Sequence, residues 1–423
     1  MTVRRTLMKA ATPLVALGLL GAACAGRETT GASSPSPATS PAAPAATKVA
    51  AADLRAGLTG LLSEHVYLAA LATGAALRGD TAAFNAAAAA LNGPKNSNTA
   101  DIVAAVTSVY GAEVGKAFDG LWRSEGHIPA FVAYTQAVAA GDEAKADKAV
   151  ADLLAYAKTF GTTMNSVNEN LPAAAVEEAI TMHITDLKAV VDAQKAKDQT
   201  KVYSSLRNAY HHMADTATVL AEATAKKFPN VVEGDARSKS ADLQAGLTLL
   251  LREHVLLASS ATGGALRGDT AAFNAAAAAL NGPKNSNTAD IVAAVTSVYG
   301  AEVGKAFDGL WRSQGHIPAF VAYTQAVAGN DQAAADKAVG DLVGYAKTFG
   351  TTMNSVNENL PAAAVEEAIT MHATTLKAVV DAQKAKDPVK TATDLREAVH
   401  HMSGTASVLA GATVKKFPET FAG

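Results

Sequence analysis

Histidine is the residue type through which this sequence most directly suggests chemistry. All ten histidines lie between residues 65 and 401, in two sets of five separated by a constant 189 positions. A neutral imidazole nitrogen binds zinc, copper and haem iron, so histidines from separate segments could build a metal or haem site. The candidate ligands are His65, His127, His183, His212, His254, His316, His372 and His401.

Neighbouring residues could complete the ligand set. Methionine sulfur is a soft ligand that suits copper, and a carboxylate suits harder ions. Methionine ends the strings His211-His212-Met213 and His400-His401-Met402, and a glutamate precedes His65 and His254. The secondary candidates are Glu64, His211, Met213, Glu253, His400 and Met402.

The carboxylates nearest the histidines differ between the two sets. Gln314 occupies the position that corresponds to Glu125, and Asp186 and Asp215 also have non-acidic counterparts. A carboxylate-bridged di-iron site needs several acidic ligands and Glu-x-x-His pairs, so this class of site is excluded. Ligation dominated by imidazole predicts a copper or zinc ion, or a haem held by two histidines.

The spacing of the histidines reflects an internal duplication. Residues 53–229 align with residues 242–418 without a gap, and the segment 77–124 recurs letter for letter as 266–313. A unit of this size is large enough to fold alone. We therefore predict two tandem, near-identical helical-bundle domains, at 53–229 and 242–418, joined by a polar linker at 230–241.

Composition and the residues typical of helix boundaries predict an all-α fold. The sequence is 49% hydrophobic but only 5% aromatic, and alanine, the best helix former, dominates it. In the first repeat we predict helices at about 53–77, 81–92, 99–110, 112–139, 142–168, 172–197 and 201–228. Thr99 is expected to cap the third, and Gly126 and Pro129 to kink the fourth.

Helical periodicity directs some of the histidines towards a core. At 100° per residue, His65 and His183 fall at the centres of apolar stripes, whereas His212 lies on the flank of its stripe and His211 nearly opposite. The direction of His127 stays open, because the stripe changes phase at the predicted kink. A mononuclear site requires the ring nitrogens to converge within about 5 Å.

The N-terminus is typical of an export signal. Arg4, Arg5 and Lys9 precede a short apolar stretch, and Cys24 follows a segment that resembles the lipobox of bacterial lipoproteins. We predict a signal peptide at 1–23 and acylation of Cys24. The run 4–9 also resembles a twin-arginine signal, so both the Sec and the twin-arginine routes stay open.

Residues 24–52 are rich in Ala, Ser, Pro and Thr and predict a disordered tether. The expected location is therefore extracytoplasmic, with an N-terminal lipid holding the chain on the cell membrane. Cys24 is the single cysteine, which excludes an intrachain disulfide and cysteine-based metal chemistry.

Several function classes find no support in the sequence. The formal net charge is −3 and the sequence contains no basic stripe, so nucleic-acid binding is not expected. The sequence lacks a phosphate-binding glycine loop, a Gly-x-Ser-x-Gly elbow and a His-Glu-x-x-His motif. We identify no catalytic residue.

Each whole repeat resembles uncharacterised histidine-containing helical-bundle domains of secreted bacterial lipoproteins. The motifs that carry the resemblance are Glu64-His65, Val109-Tyr110-Gly111, Trp122-Arg123, Gly126-His127-Ile128, Met182-His183 and His211-His212-Met213. The resemblance implies a helical bundle and no particular activity.

Three hypotheses follow. The first is a lipid-anchored protein that binds copper, zinc or haem through core histidines in each repeat, for storage, delivery or sensing. The second is a structural or partner-binding surface lipoprotein without a cofactor, whose core histidines are hydrogen-bonded. The third is a metal-dependent redox enzyme. Because the histidines are duplicated, any ligand is expected to bind twice per chain.

Overall fold

The computed structural model describes residues 48–123, 126–312 and 315–422. The described residues are almost entirely helical, which confirms the all-α prediction. The predicted signal peptide, Cys24 and residues 25–47 of the predicted tether lie outside the described residues. The last residues assigned to the tether belong to the fold, because Val49–Ala50 pair in parallel with Val232–Glu233 and the first helix begins at Ala51.

Both repeats contain the same series of eight helices. In the first they are α1 (Ala51–Leu77), α2 (Thr81–Asn92), α3 (Asn98–Tyr110), α4 (Ala112–Arg123), α5 (His127–Ala140), α6 (Glu143–Val167), α7 (Ala173–Ala196) and α8 (Gln199–Lys227). In the second they are α9 (Lys239–Leu266), α10 (Thr270–Asn281), α11 (Asn287–Tyr299), α12 (Ala301–Arg312), α13 (His316–Gly329), α14 (Gln332–Val356), α15 (Ala362–Lys384) and α16 (Pro388–Lys416). A short α17 (Pro418–Phe421) follows, and the paired segments are β1 (Val49–Ala50) and β2 (Val232–Glu233).

Two details of the helix prediction were wrong. Ser97, not Thr99, caps α3, because its hydroxyl accepts a hydrogen bond from the backbone N–H of Ala100. The predicted kinked helix is two helices, α4 and α5, and the second begins at His127. Pro129 lies in the first turn of α5, where a missing backbone N–H costs nothing.

The α6–α7 pair shows how closely the helices of a repeat approach each other. A Cβ atom added at Gly161 would lie 2.5 Å from the carbonyl oxygen of Ala173, which is backbone and cannot move aside. Gly350 and Ala362 repeat the same contact in the second copy. These glycines fix the position of α7 and α15, which carry the third histidine of each set.

The two repeats pack together in one compact unit that begins at residue 49. The contacts between them are reciprocal: α1 packs on its own counterpart α9, α2 on α16, and α10 on α8. Such a self-complementary interface is the one expected for two copies related by an approximate twofold axis. Because α1 packs inside its repeat and also on α9, it is buried on nearly all sides.

The residues near this axis explain several differences between the copies. The hydroxyl of Tyr67 donates to the carbonyl oxygen of Leu256, which is its own counterpart in the second repeat. Arg252 stands where the first repeat has Ser63, and it reaches across to a carboxylate of the first repeat. A residue on a twofold axis faces the equivalent residue of the other copy. Two tyrosines or two arginines facing each other would not fit in this space, whereas one large and one smaller residue do.

Buried carboxylates anchor the interface. Glu64 is 1% exposed and accepts hydrogen bonds from Arg252 (2.8 Å), Arg396 (2.8 Å) and His400 (3.0 Å), all in the second repeat. Burial by itself would raise the pKa of Glu64, but the hydrogen bond from His400 and the charges of the two arginines hold that pKa well below its usual range. The carboxylate is therefore ionised and paired.

The reciprocal carboxylate is Glu253. It is 2% exposed and accepts hydrogen bonds from Arg207 (2.9 Å) and His211 (3.1 Å) of the first repeat. Together, the two carboxylates and their partners tie each central helix to the last helix of the other repeat.

Helix α1 is long and apolar enough to cross a membrane, as judged from length and composition alone. In the structure, 78% of its most apolar window is buried inside the protein. Its apolar character is thus that of a core helix packed on all sides.

The ion-pair network predicts that E64Q strongly destabilises the protein. The substitution leaves Arg252 buried without its counter-charge and leaves Arg396 with Asp101 alone, and breaking a buried pair in this way costs about 3–5 kcal/mol. We expect this loss in the free energy of unfolding, measured by urea titration. The control is E169Q, since Glu169 is 80% exposed and its ion pair is worth little. A loss below about 1 kcal/mol for E64Q would contradict the assigned role.

Candidate metal centre

Three histidines converge in the core of the second repeat. His254 lies in the middle of α9, His316 is the first residue of α13, and His372 lies on α15. One ring nitrogen from each lies within 4.8 Å of the others, and the Nε2 atoms of His254 and His316 are 3.4 Å apart. Side chains distant in sequence therefore point at one small volume.

The first repeat builds the same cluster from His65, His127 and His183. The ring centroid of His65 is 5.6 Å from that of His127 and 5.8 Å from that of His183. The corresponding distances in the second repeat are 5.4 and 5.6 Å. The two clusters are built from equivalent residues, but among the described residues only those of the second bring their three ring nitrogens within 4.8 Å of one another.

The nitrogen separation suits a single ion. Two nitrogens bound at 2.0–2.1 Å to a tetrahedral ion lie roughly 3.4 Å apart. Two axial histidines of a haem instead approach from opposite faces, with nitrogens about 4 Å apart and the porphyrin between them. The convergence of three rings, with two nitrogens at 3.4 Å, fits three corners of a metal polyhedron better than it fits a haem.

Burial keeps these imidazoles neutral. Desolvation, together with the neighbouring His127, lowers the pKa of His65 to about 3. Burial likewise lowers the pKa of His127, His183 and His372 to about 3 and that of His254 to about 4. The neutral imidazole is the form that binds metals, so protons do not compete for these nitrogens near neutral pH.

The six imidazoles also carry unused hydrogen-bonding atoms. The Nδ1 atom of each is buried and has no hydrogen-bond partner among the described residues. Most buried polar atoms in folded proteins are paired, and an orphan one costs about 1–3 kcal/mol. Six orphans of one type, in two symmetry-equivalent places, indicate a site built for something other than packing.

A carboxamide lies beside the first imidazole of each cluster. Asn98 lies close enough to His65 to raise the pKa of that ring, and the Oδ1 atom of Asn98 has no hydrogen-bond partner among the described residues. Its Nδ2 atom donates to the carbonyl oxygen of Leu61 (2.8 Å), which fixes the amide. Asn98 can therefore orient the His65 ring by accepting from Nδ1 and leave Nε2 free, as partners of metal-bound histidines do. Asn287 holds the same position beside His254.

Aromatic rings enclose the cluster. Trp122 packs edge-on against His65 and His127, with centroid distances of 5.2 and 4.6 Å, and Tyr156 lies 5.1 Å from His127. The Nε1 atom of Trp122 and the hydroxyl of Tyr156 are buried without a hydrogen-bond partner in the described residues. Burial raises the pKa of Tyr156 well above its usual range, so its hydroxyl stays protonated.

The fourth predicted histidine of each set is a neighbour of the cluster. The Nε2 atom of His212 lies 3.3 Å from the carbonyl oxygen of Ala179, and that of His401 lies 3.1 Å from the carbonyl oxygen of Ala368. His212 lowers the pKa of His183 and is therefore close to it. The group whose nitrogens converge, however, consists of three histidines. Met213 and Met402 pack in the hydrophobic core.

The remaining candidates lie at the interface between the repeats. Glu64 and His400 bind each other there, as do Glu253 and His211. His211, Glu253 and Asp290 also offer atoms within 4.8 Å of one another. Arg207 forms ion pairs with both of these acids, so their negative charge is already neutralised by a fixed cation.

The sequence reasoning missed Asn98, Trp122 and Tyr156. A signal existed for Trp122, because the two tryptophans of the chain occupy equivalent positions, each just before the glycine and histidine that open the next helix. Asn98 and Tyr156 resemble ordinary helix residues in the sequence, and only the packing of α3 and α6 brings them to the cluster.

Comparison with known proteins gives no further guidance, since no family model, curated protein or solved structure matches the chain.

The unpaired imidazoles predict an unusual response to substitution in the metal-free protein. H183L replaces a buried ring with an orphan Nδ1 by an apolar side chain of similar size, so we expect it to raise the free energy of unfolding by about 1 kcal/mol. H372L should behave alike. The control, H212L, removes an imidazole that is bonded to a carbonyl oxygen and should lower the stability. Urea titration in the presence of a chelator makes the measurement, and destabilisation by H183L and H372L would mean that these rings are structural.

Proposed function

We propose that each repeat binds one copper or zinc ion through three histidines, and that the protein acts in delivery, storage or sensing of that metal outside the cytoplasm. The ligands are His65, His127 and His183 in the first repeat and His254, His316 and His372 in the second. The observation that carries the proposal is the convergence of three buried imidazole nitrogens within 4.8 Å in the second repeat.

The chemistry of the donor set supports copper or zinc. Three neutral imidazoles suit both ions, and neither a cysteine nor a convergent carboxylate selects between them. Haem is the less favoured ligand, because three rings and not two approach one point. Three protein ligands leave a fourth position open, which is typical of sites that exchange the ion or bind a further molecule.

The number of sites bears on the role. Two ions for a chain of 423 residues is a small capacity, which favours delivery or sensing over storage. The proposed lipid anchor at Cys24, followed by the tether, would hold both sites on the outer face of the cell membrane.

Metal analysis tests the proposal. Protein equilibrated with Cu²⁺ or Zn²⁺ and freed of excess ion should retain two ions per chain, measured by mass spectrometry of the elements. H65A should retain one, and H65A/H254A should retain none. The control H211Q alters a histidine outside the clusters and should still retain two. Retention of two ions by H65A/H254A, or none by the unaltered protein, would refute the proposal.

Substitution of the predicted acylation site tests the location. C24S removes the sulfur that would carry the lipid, so the exported protein should leave the membrane fraction and appear in the soluble extracytoplasmic fraction. Fractionation and immunoblotting of cells expressing either form make the measurement. An unchanged distribution would show that something other than Cys24 holds the chain on the membrane.

A further inference from the structure

An internal cavity opens next to each histidine cluster. Its volume is about 450 Å³ in the first repeat and about 410 Å³ in the second. Both values lie within the range of roughly 300–1,000 Å³ in which proteins bind small molecules. In the first repeat, helices α1, α2, α4, α5, α6 and α7 supply the walls.

The walls are apolar and carry no charge. Within the described part of the chain, no Asp, Glu, Lys or Arg lines either cavity. The main apolar residues of the first are Phe84, Ile128, Phe131, Ile180, Ile184 and Leu187. Two polar wall residues are already satisfied, because Thr73 donates to Gln194 and Thr135 to the carbonyl oxygen of Phe131.

Unsatisfied polar atoms are found at the inner end. Trp122 and Tyr156 line the cavity there with the three histidines, and their Nε1 and hydroxyl groups have no partner among the described residues. At the other end, Thr81 on α2 and Gln136 on α5 are exposed. The cavity therefore runs from solvent between α2 and α5 to a polar inner end.

We propose that each cavity binds an uncharged, largely apolar small molecule, whose body lies among the apolar walls and whose polar group faces the histidine side chains at the inner end, joined in the first repeat by Trp122 and Tyr156. An anion finds no cation on the walls, and a buried charge without a partner is strongly disfavoured. Two arginines are adjacent in sequence to lining residues, Arg78 to Gly79 and Arg123 to Trp122, and neither lines the cavity. Arg123 is held by Asp119 and by the carbonyl oxygens of Asn92 and Gly93.

The two cavities are expected to take the same class of molecule. Of the residues that line the first cavity, Ile184 alone has a different counterpart, Ala373 in the second repeat. The proposal does not require a bound metal, since the apolar walls and the histidines at the inner end are present without one. When a metal is bound, the molecule would lie beside its open coordination position.

A pair of probes that differ in one charged group tests the proposal. N-phenyl-1-naphthylamine is neutral and becomes fluorescent in apolar sites, and 8-anilino-1-naphthalenesulfonate has the same ring system with an added sulfonate. Each is titrated into the metal-free, full-length mature protein. We expect saturable binding of two neutral molecules per chain, and at least tenfold weaker binding of the sulfonate.

Cavity-filling variants locate the binding. Ala72 and Ala261 line the first and second cavity, so A72F should reduce the stoichiometry to one and A72F/A261F to zero. If circular dichroism shows that these variants are unfolded, A76F and A265F fill the same walls at half-buried positions. Absence of saturable binding, equal affinity for both probes, or a stoichiometry that folded double variants leave unchanged would overturn the proposal. Metal content is measured separately, so a failure here is distinct from a failure of the metal site.

Discussion

The fold depends on the burial of two adjacent polar residues in the middle of α1 and, equivalently, of α9. Neighbouring side chains on a helix point about 100° apart, so Glu64 and His65 face different surroundings. Glu64 faces the other repeat and is neutralised by its arginines, whereas His65 faces the interior of its own bundle. One helix thereby serves both the interface and the candidate metal centre.

The interface and the candidate metal centre have opposite effects on the free energy of unfolding. The carboxylate network compensates its desolvation with several charged hydrogen bonds, so removing one member is costly. The imidazoles are buried neutral and partly unpaired, so in the metal-free protein they lower the stability. A metal ion that binds only the folded state would reverse this loss. The open coordination position of the proposed metal site and the adjoining apolar cavity would let a second molecule reach the ion. This access is what a metal-dependent enzyme would also need, so the binding and the enzymatic hypotheses share one site.

Hydrophobic periodicity and helix-boundary residues were sufficient to predict the helices and the inward direction of His65 and His183. They did not separate α4 from α5, because Gly126 and Pro129 are as compatible with a kink inside one helix as with a break between two. Periodicity also gave no sign that the repeats pack together. The partners of Arg207 and Arg396 lie in the opposite copy, and only the folded structure brings α8 and α16 to them. The cavity is likewise invisible in the sequence, because it results from how far α2 stands from α5 and not from any one residue type.

The unequal pair Tyr67 and Leu256 has a consequence for how this protein could have arisen. In a homodimer of single-repeat chains, one gene encodes both sides of the axis, so a tyrosine there must face a tyrosine. Joining the copies in one chain removes this constraint and lets each side change independently. The axis is where Ser63 and Arg252 also differ, while the segment from residue 77 to 124 is unchanged in the second copy. Divergence at the axis after gene fusion would make the fused arrangement difficult to reverse, because neither copy alone would rebuild the unequal pairs.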